Sequence, residues 1–571
     1  MQRRPGRAFL RHSLFLATAL VAATTLQQRA TAADRDPALD TITGERIRGH
    51  VAVLASDAYG GRLPGTAGED STLAYLERQF RSLGLEPAVN GSYRQEVPLV
   101  RRTVLPTPTI RLSRLQPAPG APELPEIRWA DDLLLGSNTL DDAIHVSGAE
   151  LVFVGYGITA PDLGWDDYAG VDMRGKVALM LSTDPGRPPS DSTLFNGRAV
   201  THYGLPLTKS EMAAAHGAVA VMAMHDQEIV SYPFDILKAA AGRSKYDLVP
   251  GPTAIPRAAV GGALRKEVVL AILAAAGEDP VALMAAAGRR GFKARPLGIV
   301  MDIDGQVKVE RSKSYNMIGM LRGRERPDEV VAYSAHWDHM GIGVPVDGDS
   351  IYNGAVDNAT GTASLLTIAA AYRARAVPPA RSVLFWATTC EEQGLLGSYH
   401  YADNPVVPLE RSVAFLNMDA LFPFGRVGGE FVTGYGQCEL EDLLVPASAA
   451  EGRVVMPDDA PEAGAYYRSD HYPLAKKGVP ALFAVGNPKD DSNPEQSAKF
   501  TGYMLKYHKP SDELTDDWDL GGIVQDARIY YRVGARLADG NEWPNFKPTS
   551  EFRGLRDAMK SAAGIKMAPR K

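Results

Sequence analysis

The chain has 571 residues, 45% of them apolar and 23% charged, an ordinary balance for a globular protein that argues against disordered, collagenous and coiled-coil classes. With 61 basic against 68 acidic residues the net charge is −7, which gives no electrostatic reason to expect nucleic acid as a partner. Cys390 and Cys438 are too few for a disulfide framework or a thiolate metal cluster, so any metal must be held by His and carboxylates.

Residues 1–32 read as a secretory signal, with Arg3, Arg4, Arg7 and Arg11 as the basic end and Ala30-Thr31-Ala32 as a small-residue cleavage site. The apolar stretch 14–26 falls short of the roughly 20 residues that span a bilayer. The expectation is a secreted or periplasmic protein with no membrane span after signal cleavage, in a compartment where Cys390 and Cys438 can pair. Residues 33–147 form the first part of the main domain. Leu73, Leu76, Phe80 and Leu83 at helical spacing predict a helix over 69–83 stopped by Gly84, and 101–147 reads as connecting strands and loops.

Residues 148–290 read as an inserted β-rich module, with short strands at 150–155, 176–181 and 218–224 between glycine turns. From 291 to 545 the pattern becomes strand, loop and helix. The apolar runs 330–335, 383–388 and 413–417 lack alternation, as strands buried on both faces do, and 359–375 supplies the crossover helix between the first two. The predicted fold class is α/β, a doubly wound, mostly parallel sheet carrying the β-rich insert. Residues 546–571 are basic and poorly patterned and read as a loose tail.

Ligands of open parallel sheets bind beyond the carboxyl ends of the strands. The residues there are all metal-ligand types: His336-Trp337-Asp338-His339, Asp357-Asn358, Glu391-Glu392 and Asp419. Imidazole and carboxylate donors without thiolate suit a catalytic zinc site, and a carboxylate can bridge two cations. Asp338 is placed to accept the second N–H of His336. One of Glu391 and Glu392 can bind metal while the other removes a proton from water, and His339 is a further candidate ligand.

These residues resemble the zinc-dependent exopeptidase family of bacterial leucyl aminopeptidases and glutamate carboxypeptidase, to which glutaminyl cyclase and transferrin receptor are related. The resemblance runs through Leu54-Ala55-Ser56-Asp57, Gly61-Arg62-Leu63-Pro64-Gly65-Thr66, Ser334-Ala335-His336-Trp337-Asp338-His339, Asn353 to Gly361, Glu391-Glu392-Gln393-Gly394 and Asn417-Met418-Asp419. It implies two zinc ions per chain, His336 and Asp419 on one, Glu392 and a downstream histidine on the other, Asp357 as bridge and Glu391 as general base. The family's His-x-x-x-Asp loop selects His508 in Tyr507-His508-Lys509-Pro510-Ser511-Asp512 over His471, which then resembles a pocket residue that does not touch metal. Tyr507 resembles the tyrosine that hydrogen-bonds a developing oxyanion in some members. The insert resembles the family's protease-associated domain through Val152-Phe153-Val154-Gly155-Tyr156-Gly157, Asp166-Asp167-Tyr168, Gly175-Lys176-Val177 and Gly217-Ala218. The implied activity is aminopeptidase hydrolysis of a peptide substrate. A carboxypeptidase gripping an acidic terminus through Arg468, a one-zinc glutaminyl cyclase and a non-catalytic receptor-like relative are the alternatives.

Overall fold

The computed structural model describes residues 36–564 apart from 117–118, 187–190, 231, 253 and 490–492; the expected signal segment 1–32 lies outside the described residues. Its framework is a mixed sheet of 16 strands. At the centre, strand Arg326–His336 runs parallel to Arg381–Thr388 on one side and Ser412–Asn417 on the other, and the latter runs parallel to Ala481–Asn487. Every residue of Arg381–Thr388 and Ser412–Asn417 is buried, which is why their sequences show no polar alternation. Helices Thr360–Ala374 and Gly521–Asp539 cover this sheet, and Tyr333, Phe385, Leu365, Ile368, Tyr530 and Val533 share its main core.

The sheet is mixed, and much of its antiparallel pairing comes from one long strand of 27 residues, Arg295–Leu321. Residues 317–321 run antiparallel to Arg381–Thr388, and residues 307–317 antiparallel to Arg94–Val104. Residues 299–304 pair antiparallel with Thr109–Arg114. A second core, which includes Leu133, Leu151, Phe153, Leu179, Met222 and Ile272, also takes in Ile299, Met301 and Ile303 from this strand. Strands Thr109–Arg114, Leu133–Ser137 and Ala143–Phe153 therefore pack with this second core. The first of these alternates, with Ile110 and Leu112 half-buried against this core and Thr109, Arg111 and Ser113 exposed.

Residues 546–564 are not a loose tail. Phe546 and Phe552 are buried, and in helix Arg553–Ala562 the side chains of Arg556 and Lys560 are fully enclosed. Arg556 Nη2 donates to the carbonyls of Ser412 and Val413, and Lys560 Nζ to that of Trp543, so these basic groups satisfy carbonyls instead of facing solvent. Cys390 and Cys438 are buried, free thiols. Among the described residues no single helix is long and apolar enough to cross a membrane.

Candidate metal centre

Parallel strands in register deliver their carboxyl ends to one edge. His336, the last residue of its strand, is level with Thr388, and Ser334 is level with Asn417. The loops beyond carry Glu391, Glu392 and Asp419 to the same place. Asp357 comes from the segment before helix Thr360–Ala374, joined to Asn358 by a cis peptide, and His508 follows helix Pro494–Met504.

Two groups of donors result. His336 Nε2 stands 3.1 Å from Asp419 Oδ1, 3.2 Å from Asp357 Oδ1 and 4.0 Å from Glu391 Oε2. His508 Nε2 stands 3.2 Å from Asp357 Oδ2 and 3.1 Å from Glu392 Oε2. Asp357 thus divides its two oxygens between the groups. Among the described residues none of these four carboxylates forms an ion pair with Lys or Arg, and the donor set fits divalent metal.

The two adjacent glutamates are driven apart. Burial raises Glu391 well above the ordinary carboxylate range, with Asp419 and Glu392 adding to it and His336 opposing. Burial acts the same way on Glu392, but His339 and His508 overcome it and hold this carboxyl low. One glutamate is thereby suited to carry a proton and the other to bind as an anion. Burial opposes charge on His336 too, yet Asp419, Glu391 and Asp357 together hold it well above its usual value.

Asp338 does something other than expected. His336 Nδ1 lies 3.1 Å from the main-chain oxygen of Asp338 and 3.9 Å from its carboxylate. The carboxylate instead accepts the backbone N–H groups of Glu391 at 3.1 Å and Glu392 at 3.4 Å. Those amides leave the strand end unpaired, and a buried amide needs an acceptor. Asp338 therefore shapes the turn that aims both glutamates.

Three further side chains position the centre. Arg62, fully buried, donates to the carbonyls of Trp337, Asn353 and Gly354, tying together the loops that carry His336 and Asp357. Asp512 accepts from the amides of Val356 at 3.0 Å and Asp357 at 3.1 Å. Ser469 donates to Asp419 Oδ2 at 2.6 Å. All three lie within motifs visible in the sequence, but nothing in a motif shows which amide or carboxylate a side chain will meet.

His471 sits apart, buried against Tyr466 and Phe483, and burial lowers its pKa to about 3. Tyr507 stacks on His508 with ring centroids 3.8 Å apart; burial, with Asp357 and Glu392 nearby, raises its hydroxyl pKa and keeps it protonated.

Against known proteins, the family model described as peptidase family M28 matches residues 316–531, a span that contains every donor of the centre. Aminopeptidase NAALADL1 of Mus musculus is 32% identical over 129 residues, 22% of this chain and 16% of its own. A probable leucine aminopeptidase 2 of Aspergillus oryzae is 25% identical over 286 residues, 46% of this chain and 53% of its own. A glutamate carboxypeptidase 2 homolog of Caenorhabditis elegans is 26% identical over 318 residues, 48% of this chain and 38% of its own. The chain thus spans about half the length of these relatives at most. Among solved structures, an aminopeptidase from Aneurinibacillus sp. strain AM-1 superposes with a TM-score of 0.46 at 18% identity, covering 89% of this chain and 97% of that one.

Proposed function

We propose that the chain, whose residues 316–531 match the model of peptidase family M28, is an exported di-zinc exopeptidase of that family, an aminopeptidase that releases N-terminal residues from peptides. The division of Asp357 between His336 and His508 carries this reading, since a carboxylate with one oxygen toward each imidazole is what a bridging ligand of paired cations requires. His336 and Asp419 complete one site, Glu392 and His508 the other. Bound zinc supplies Lewis acidity to the scissile carbonyl and to water.

Glu391 has no ligand role in this assignment. Its carboxylate takes a proton from the attacking water and delivers it to the leaving amine nitrogen, placed for this with Oε2 4.0 Å from His336 Nε2 at the edge of the donor set. The protonated Tyr507 hydroxyl is available to donate to the developing oxyanion. The aminopeptidase choice is supported by the aminopeptidase-named relatives.

The insert, read as a protease-associated domain, restricts access to the centre. Its docking supports this: His202 and Tyr467 both bond Glu551, Arg198 pairs with Glu462, and Val200 joins the main core. Export is supported by the signal pattern of residues 1–32.

Carboxypeptidase action is the second reading. It is supported by the carboxypeptidase-named relatives and by Arg468, an exposed guanidinium beside Ser469. Matched peptides with free, acetylated and C-terminally acidic ends, assayed with and without chelator, separate the two. Cleavage of free-amine peptides that chelator abolishes and zinc restores is expected; cleavage of acetylated peptides alone transfers the assignment to a carboxypeptidase.

A further inference from the structure

His339 is fully buried three residues beyond His336, and its Nδ1 stands 2.6 Å from Glu392 Oε1. The other oxygen of Glu392 faces His508 Nε2 at 3.1 Å. The His339 ring sits edge-on to that of His508, centroids 5.7 Å apart at 68°. Its place is fixed from behind by Gly354 at φ 55°, where a Cβ would come within 2.5 Å of the imidazole.

Spacing separates two roles for this histidine. Two ligands bound at about 2.0–2.2 Å in tetrahedral geometry stand roughly 3.4 Å from each other. The pairs His336–Asp419, His336–Asp357, His508–Asp357 and His508–Glu392, at 3.1 to 3.2 Å, come close to that. At 2.6 Å the His339–Glu392 pair is too close for co-ligands and right for a charge-assisted N–H···O bond.

We propose that His339 is a positioning residue: its Nδ1–H holds Oε1 of Glu392 and so presents Oε2 to the cation shared with Asp357 and His508. The inference rests on the two-cation reading above. Without the bond, Glu392 is free to rotate and the site loses a directed anion, while the His336–Asp419 site keeps all its donors.

Zinc titration of the apo-protein, with bound metal counted by elemental analysis, tests it on the wild type, His339→Leu and His339→Asn. The amide nitrogen of asparagine falls near the position of Nδ1 and restores the donor. In the leucine variant one equivalent is expected to bind 10- to 100-fold more weakly with the other unchanged, and the asparagine variant to recover to within a few-fold of wild type. If the leucine variant does not fold, His339→Phe takes its place as the donor-free ring. Unchanged affinity for both equivalents in the donor-free variant, equal weakening of both, or an asparagine variant as weak as leucine overturns the positioning role alone. A wild-type protein that takes up one equivalent overturns the two-cation reading and this inference with it.

Discussion

Ser469 donates its hydroxyl to Oδ2 of Asp419 at 2.6 Å, while Oδ1 of the same carboxylate faces His336 Nε2 at 3.1 Å. Ser469 is itself held by Asn417 Nδ2 at 2.7 Å, and Asn417 by the hydroxyl of Ser334 at 2.8 Å. A buried chain of hydrogen bonds thus runs from the strand ends to Oδ2 of Asp419, the proposed metal ligand, and fixes the orientation in which Oδ1 faces His336. Ser469→Ala should weaken the cation at His336 and Asp419 by about tenfold and leave the one at Glu392 and His508 unchanged, as read by zinc titration.

Asp512 should be needed by both cations, because it holds the segment of their shared ligand. Its carboxylate accepts from the amides of Val356 and Asp357, and replacing it with alanine orphans two buried donors. The expected loss is about 1–3 kcal/mol for each orphaned amide, with weaker binding of both zinc ions, measured by chemical denaturation and metal titration. Asp512→Asn keeps one acceptor oxygen and should fall between alanine and wild type.

His471 predicts acid sensitivity. Burial lowers its pKa in the folded chain to about 3, below the ordinary 6.5, so the folded state binds fewer protons than the unfolded one between those values. Its contribution to stability is therefore complete above about pH 6.5 and is lost as pH falls toward 3, by about 2 kcal/mol at pH 5. His471→Phe should flatten this acid limb in denaturation curves taken at several pH values. Its metal content at neutral pH should remain that of the wild type, whereas loss of zinc would make His471 a ligand.

The donors themselves were legible because buried parallel strands announce themselves as unbroken apolar runs, and the residues just beyond them must lie at one edge. His336, Glu391, Glu392 and Asp419 follow from that rule, and Asp357 precedes the crossover helix. What a side chain meets across the fold was not legible. Asp338 turns its carboxylate to amides 53 and 54 positions away, and Arg62 reaches carbonyls 275 to 292 positions away. The same limit applies at the chain's end: residues 546–571 read as a basic, loose tail, yet Arg556 and Lys560 point inward at carbonyls of other elements. Nor did local pattern reveal that strand Arg295–Leu321 serves both cores, since each half pairs with partners distant in sequence.

Turnover of Glu391→Gln on a free-amine peptide, at verified zinc content, tests the central claim most directly. Glutamine keeps the shape but cannot take the proton. Unchanged zinc with kcat lowered by about 10²- to 10⁴-fold is the expected result. Near-normal turnover, or loss of zinc, would contradict a general base at Glu391 that stands outside the ligand set.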